Sequence, residues 1–148
     1  MKKNKGFTIL ETVAYLSISL IIISIAITST IKSYRELSGF IKKNREMNQV
    51  YNAFNFIDYW CYRDKVFEVK KSGDKLEIYE AVDGTQYSLK RIYKNGENLS
   101  MFHYDVYNVK PVANNPIIEN IDDFKVYKKE NLIYISIIKG GEEYMKCI

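Results

Sequence analysis

From Thr12 to Ile31 the chain runs through twenty consecutive uncharged, mostly apolar positions. As a helix rising ~1.5 Å per residue this stretch is ~30 Å long, about the thickness of a bilayer's hydrocarbon core, so it is predicted to span a membrane. The periodicity continues past Lys32. Tyr34, Leu37 and Ile41, then Met47, Val50, Phe54, Ile57 and Cys61, recur at steps of three and four, which is one face of an α-helix. A polar interlude, Lys42-Lys43-Asn44-Arg45, separates the two groups. No proline precedes Pro111, and Gly39 is the only glycine between Phe7 and Gly73. The pattern predicts one helix from about Phe7 to about Tyr59, bent near Gly39, whose second half lays its apolar face on a head.

Beyond Tyr59 the period changes. Segments at Val66-Val69, Lys75-Val82, Gln86-Tyr93, Leu99-Val109, Phe124-Lys128, Leu132-Lys139 and Glu143-Ile148 are rich in β-branched and aromatic residues, several with alternation. Turn signals stand between them at Ser72-Gly73-Asp74, Asp83-Gly84, Asn95-Gly96, Glu130-Asn131 and Gly140-Gly141. The head is therefore read as an antiparallel meander whose longest loop, Asn108 to Asn120, holds both prolines. Together these elements predict an α+β fold. A long N-terminal helix, transmembrane in its first half and amphipathic in its second, packs on an antiparallel β-meander.

Charge bounds the rest. The formal net of +4 falls to +1 without Lys2, Lys3 and Lys5, so basic balance gives no argument for nucleic-acid binding beyond Lys125, Lys128 and Lys129. DNA stays a conceivable but unsupported partner. With 148 residues, one spanning helix leaves a head large enough for a single small core.

Glu11 is the informative oddity, because an ionisable group inside a spanning segment costs up to ~2.5–3.5 kcal/mol at mid-depth and usually marks a functional contact. Its bland alternative is an interfacial acid that bends back to the headgroups. The spacing Gly6-Phe7-Thr8-Ile9-Leu10-Glu11, behind the basic leader Lys2-Lys3-Asn4-Lys5 and ahead of the apolar run, resembles the class III signal of the type IV prepilin and pseudopilin superfamily. That resemblance covers about the first thirty residues. It implies cleavage by a prepilin peptidase between Gly6 and Phe7, N-methylation of Phe7, and a subunit-docking role for Glu11. It likewise implies residues 1–6 as leader, 7–31 as transmembrane and filament-core helix, 32–60 as amphipathic helix and 61–148 as β head. The implied partners are the peptidase, other pilin subunits, an inner-membrane assembly platform and, before assembly, the lipid bilayer. The implied location is the cell membrane as a single-pass protein, then a surface pilus or pseudopilus.

Thr28 stands where many major pilins carry a helix-bending proline, and the span lacks the glycines that loosen the helix on assembly. Further on, Tyr87-Ser88-Leu89-Lys90-Arg91, Asn95-Gly96-Glu97-Asn98-Leu99 and Ile118-Glu119-Asn120-Ile121-Asp122-Asp123-Phe124 resemble the heads of minor pilins and minor pseudopilins. A structural filament subunit, a minor pilin, is the leading reading. A DNA- or ligand-binding tip module and a plain signal-anchored exported protein are the alternatives. A conventional secretory signal fits the N-terminus less well: its apolar stretch is usually ~7–15 residues, and Ser24-Ile25-Ala26 and Ala26-Ile27-Thr28 are weak cleavage sites. The lysine and arginine flanks do not decide orientation, since Lys32, Arg35, Lys42, Lys43 and Arg45 follow the span.

Cys61 and Cys147 close the helix and the last strand. In an exported head such a pair favours a disulfide, with two reduced thiols the alternative. His103 reads as a hydrogen-bonded or exposed strand residue and Trp60 as packing between helix and sheet. The thirteen tyrosines either line half-buried strands or form a binding surface. No Gly-x-Ser-x-Gly, His-Glu-x-x-His, phosphate-binding glycine loop or Cys/His cluster of metal spacing occurs, so the chain is read as a non-enzyme without cofactor or metal. Glu119, Asp122 and Asp123 are the one acidic group that calcium chemistry brings to mind, against the ordinary solvated loop.

Overall fold

The computed structural model describes residues 8–83, 86–105 and 110–148. Among the described residues a single helix, α1 (Ile9–Cys61), is followed by eight antiparallel strands: β1 (Val66–Ser72), β2 (Lys75–Asp83), β3 (Gln86–Asn95), β4 (Asn98–Tyr104), β5 (Ala113–Ile118), β6 (Asp123–Lys129), β7 (Leu132–Lys139) and β8 (Glu142–Cys147). The predicted α+β class is therefore observed. The chain divides into two compact units, residues 1–42 and 43–148.

In the first unit the helix is continuous through Gly39, and Tyr34, Leu37 and Ile41, the upstream part of the predicted stripe, are exposed. In the second unit the stripe is used. Val50, Ala53, Phe54, Ile57 and Cys61 are buried on one side of α1, at the three- and four-residue steps that bring side chains onto a common face. They share one core with Leu76 and Ile78 of β2, Ile92 of β3, Leu99 and Met101 of β4, and Phe124, Val126, Ile133, Ile135 and Ile137 of β6 and β7. Trp60 packs against this core, as its position at the helix end predicts.

The strands follow one another as a meander but form two sheets, β1-β2-β3-β4-β5 and β6-β7-β8. Two-residue turns join β1 to β2, β3 to β4, β6 to β7 and β7 to β8, at the predicted turn positions. Gly140 and Gly141 both hold positive φ, 62° and 77°, the left-handed geometry in which a Cβ is unfavourable. The turn expected at Asp83-Gly84 falls in part outside the described residues.

One expectation is corrected. Residues 113–118 are not loop but strand β5, paired antiparallel with β4 through Met101↔Asn115 and Phe102↔Asn114. Pro116 is tolerated because β5 is an edge, where the missing N–H removes no ladder bond. β4 runs to Tyr104, and residues 106–109 of the strand expected to reach Val109 lie outside the described residues.

Candidate functional site

The N-terminal determinant begins where the description begins. Thr8 and Glu11 form a reciprocal pair across the first turn of α1: the Glu11 amide donates to Thr8 Oγ1 at 3.3 Å, and the Thr8 amide donates to Glu11 Oε2 at 3.0 Å. This is a capping box, in which a threonine and a glutamate three residues later satisfy amides that the helix start leaves unpaired. It gives Glu11 a local partner within its own chain. Behind it, an 18-residue window of α1 reaches a mean hydropathy of 2.1 with none of it buried in the fold. The helix is thus long and apolar enough to cross a bilayer. Ser17, Thr28 and Thr30 return their hydroxyls to carbonyls one turn back, which hides their polarity inside an otherwise apolar rod. Gly6 and Phe7, the expected scissile pair and methylation site, lie outside the described residues.

Cys61 and Cys147 are not bridged, which corrects the expected disulfide. The cause is strand parity. Tyr144, Lys146 and Ile148 face the helix side, where Tyr144 and Ile148 pack on the core and Lys146 binds Asp58, so the intervening Cys147 is turned outward and exposed. Cys61 stays in the core, where burial pushes its thiol up to about 12.

A charged cluster that the sequence reading missed sits at the C-terminal end of α1. Glu80 of β2 and Lys90 of β3 are buried and ion-paired. Arg63 Nη1 lies 3.5 Å from Glu80 Oε1, and both cations stand over the Trp60 ring, Arg63 at 4.6 Å and Lys90 at 4.8 Å. His103 meets the same indole edge-on at 5.8 Å and is 3.1 Å from the Asn115 amide nitrogen. Burial and the neighbouring Lys90 hold its imidazole below the ordinary value, so it is a neutral, hydrogen-bonded strand residue. Residue parity carries the missed signal: Leu76, Ile78 and Glu80 share one face of β2, and Ile92 and Lys90 share the matching face of β3.

The acidic segment 119–123 is held by the protein's own cations. Lys139 Nζ binds the Glu119 and Asn120 carbonyls, Lys94 binds the Asp122 carbonyl, Lys125 pairs with Asp123 at 3.0 Å, and Gly141 N–H donates to Asp122 Oδ2 at 2.9 Å. Ammonium groups therefore occupy the carbonyl oxygens that a calcium ion would use. No group of three or more His, Cys, Asp or Glu with metal-binding geometry occurs among the described residues.

Comparisons with protein-family models, with curated proteins and with solved structures gave no match.

Proposed function

We propose that the chain is a structural subunit, a minor pilin, of a type IV pilus or pilus-like machine, anchored in a membrane by α1 until it is drawn into a filament. One observation carries this reading: a carboxylate, Glu11, stands at the head of a helix that is otherwise uncharged to Ile31 and continues without interruption into the first helix turns of a β head. The leader Lys2-Lys3-Asn4-Lys5-Gly6 ahead of Phe7 supplies the rest of the pattern. Cleavage after Gly6 creates an α-amino group on Phe7. In the isolated chain Glu11 is satisfied by Thr8. In a filament, where apolar helices exclude water, an amine from a neighbouring Phe7 gives it a partner of opposite charge, and a buried pair of this kind costs about 3–5 kcal/mol to break from one side. Such a contact fixes the axial register of one subunit against the next.

Replacing Glu11 by Ala tests this. The variant is cleaved normally but incorporated into filaments at a small fraction of the wild-type level, scored by immunogold labelling of sheared filaments. Incorporation at the wild-type level removes the assembly role of Glu11. Parallel Thr8→Val, which removes the hydroxyl that caps the Glu11 amide but keeps the carboxylate, separates a helix-capping role from an intersubunit one.

A further inference from the structure

His103 is the chain's only histidine, and it sits where an edge strand is held most lightly. β5 pairs with β4 on one side only, through His103↔Ala113, Phe102↔Asn114 and Met101↔Asn115, and the Val112 amide donates to the His103 carbonyl at 2.8 Å. The two ends of β5 are fixed differently. Residues 113–116 are exposed, whereas Ile118 is buried and belongs to the core. Besides the backbone pairing, the first half is tied to β4 by a side-chain contact, Asn115 Nδ2 at 3.1 Å from His103 Nε2.

That contact needs a neutral imidazole. A carboxamide nitrogen only donates, so Nε2 accepts and the ring proton sits on Nδ1. A second proton, on Nε2, sets a donor against a donor. The surroundings offer the new charge no unmatched partner. Lys90 of β3 is the direct cross-strand neighbour of His103, and like charges opposite one another in a ladder repel. Arg63, just past α1, stands over the same Trp60 indole that His103 meets edge-on. Glu80 of β2 is the carboxylate of this group, and its two oxygens already face Lys90 and Arg63. β5 brings only Ala113, Asn114 and Asn115 to this end, and Asp105, two residues past His103, is exposed. Burial and the Lys90 charge, partly offset by Glu80, hold the imidazole below its ordinary value.

We propose that this arrangement is an acid-operated latch: a proton on His103 detaches residues 112–115 from β4, with Pro116 as hinge and Ile118 as anchor, and uncovers the β4 edge from Met101 to His103. The latch is independent of the filament reading, because it uses neither Glu11 nor the apolar run. The open strand takes up the proton more readily than the closed one. Opening is therefore rarest above the ordinary histidine value of 6.5 and grows as pH falls below it, by up to about tenfold per pH unit.

Hydrogen exchange of the untagged full chain in lipid nanodiscs, corrected for the intrinsic pH dependence of exchange, is read by mass spectrometry at about pH 7.5 and about pH 5. Protection of the segment 110–116 falls by about threefold or more at the lower pH, while β6 and β7 keep theirs. NMR titration of the single imidazole gives a midpoint below 6.5. In His103→Gln the side-chain oxygen still accepts from Asn115 and takes up no proton, so the segment is equally protected at both pH values. Asn115→Asp keeps the histidine and sets a carboxylate against the imidazolium, so acid no longer loosens the strand; this variant decides the matter if His103→Gln does not fold. The proposal is overturned if wild-type protection of 110–116 is the same at both pH values, the result expected if the Asn115 carboxamide simply turns its oxygen to the imidazolium. It is also overturned if the acid loss persists in His103→Gln or in Asn115→Asp, or if β6 and β7 lose protection in step, which makes the opening global.

Discussion

Removing one member of the Glu80–Lys90 pair while leaving the other in place is the sharpest perturbation of the head. The Lys90 and Glu80 side chains are only 6% and 11% exposed, so whichever charge remains stays largely out of water. A buried charge stripped of its partner costs about 3–5 kcal/mol, but the two single changes are not equivalent here. In Lys90→Met, Glu80 keeps Arg63 at 3.5 Å, itself 37% exposed and able to follow it. The loss then falls to about 2–3 kcal/mol. In Glu80→Met, Lys90 keeps, among the described residues, the Ser88 hydroxyl at 3.5 Å and the Trp60 ring. That loss reaches about 4 kcal/mol. The double variant Glu80→Met/Lys90→Met leaves no buried charge behind and Arg63 turns to solvent, so it lies within about 1 kcal/mol of wild type. Urea unfolding of the full chain in nanodiscs, followed by the fluorescence of Trp60, reads all four states, since Trp60 is the only tryptophan and stacks on the pair. A double variant destabilised by the sum of the two singles would refute the coupling, and Lys90→Met costing more than Glu80→Met would refute the part given to Arg63.

Three further outcomes follow from the same packing. The unfolded chain takes up a proton on His103 near its ordinary 6.5, whereas the folded chain resists, so stability is full above that pH and declines as pH falls below it. His103→Gln flattens urea-unfolding stability over that interval, and a slope unchanged by the substitution would show that other groups produce it. Maleimide labels one thiol per native chain, Cys147, and the second, Cys61, only on unfolding; two fast-reacting thiols would contradict the burial of Cys61. Gly140→Ala places a methyl 2.6 Å from Glu46 Oε2 at a φ of +62°, while Gly96→Ala at +64° meets nothing within 4 Å. Each costs about 1 kcal/mol from its left-handed backbone, because the Glu46 carboxylate is the far end of a flexible side chain that can swing aside; a markedly larger loss for Gly140→Ala in thermal unfolding would show that it cannot.

The helix was legible because proline-free steps of three and four from Met47 to Cys61 leave no other regular structure able to bury that face. The hairpins were legible because Gly73, Gly96 and Gly140 stand where two-residue turns need positive φ. Glu130 adopts the same geometry at a φ of 55° without being glycine, and its turn was found through the neighbouring asparagine. Strand β5 escaped because Asn114, Asn115 and Pro116 carry loop propensity, and pairing with β4 overrides it only at an edge. The division into two sheets was hidden as well, since residues 119–122 hold no proline or glycine to mark the break. Glu80 and Lys90 interrupt an apolar alternation, so they read as solvent-facing until the register shows them on the core side. The cysteines illustrate the opposite lesson. Ends of elements that meet in the fold do not bring two sulfurs together when alternation turns one of them away.

The filament reading rests on a carboxylate among apolar helices being matched by an amine that exists only after cleavage. Mass spectrometry of the chain purified from its own host's membranes tests this most directly. The account predicts a mature terminus at Phe7 carrying one N-methyl group. A terminus still bearing Met1 to Gly6, or one beginning after Ala26, contradicts it.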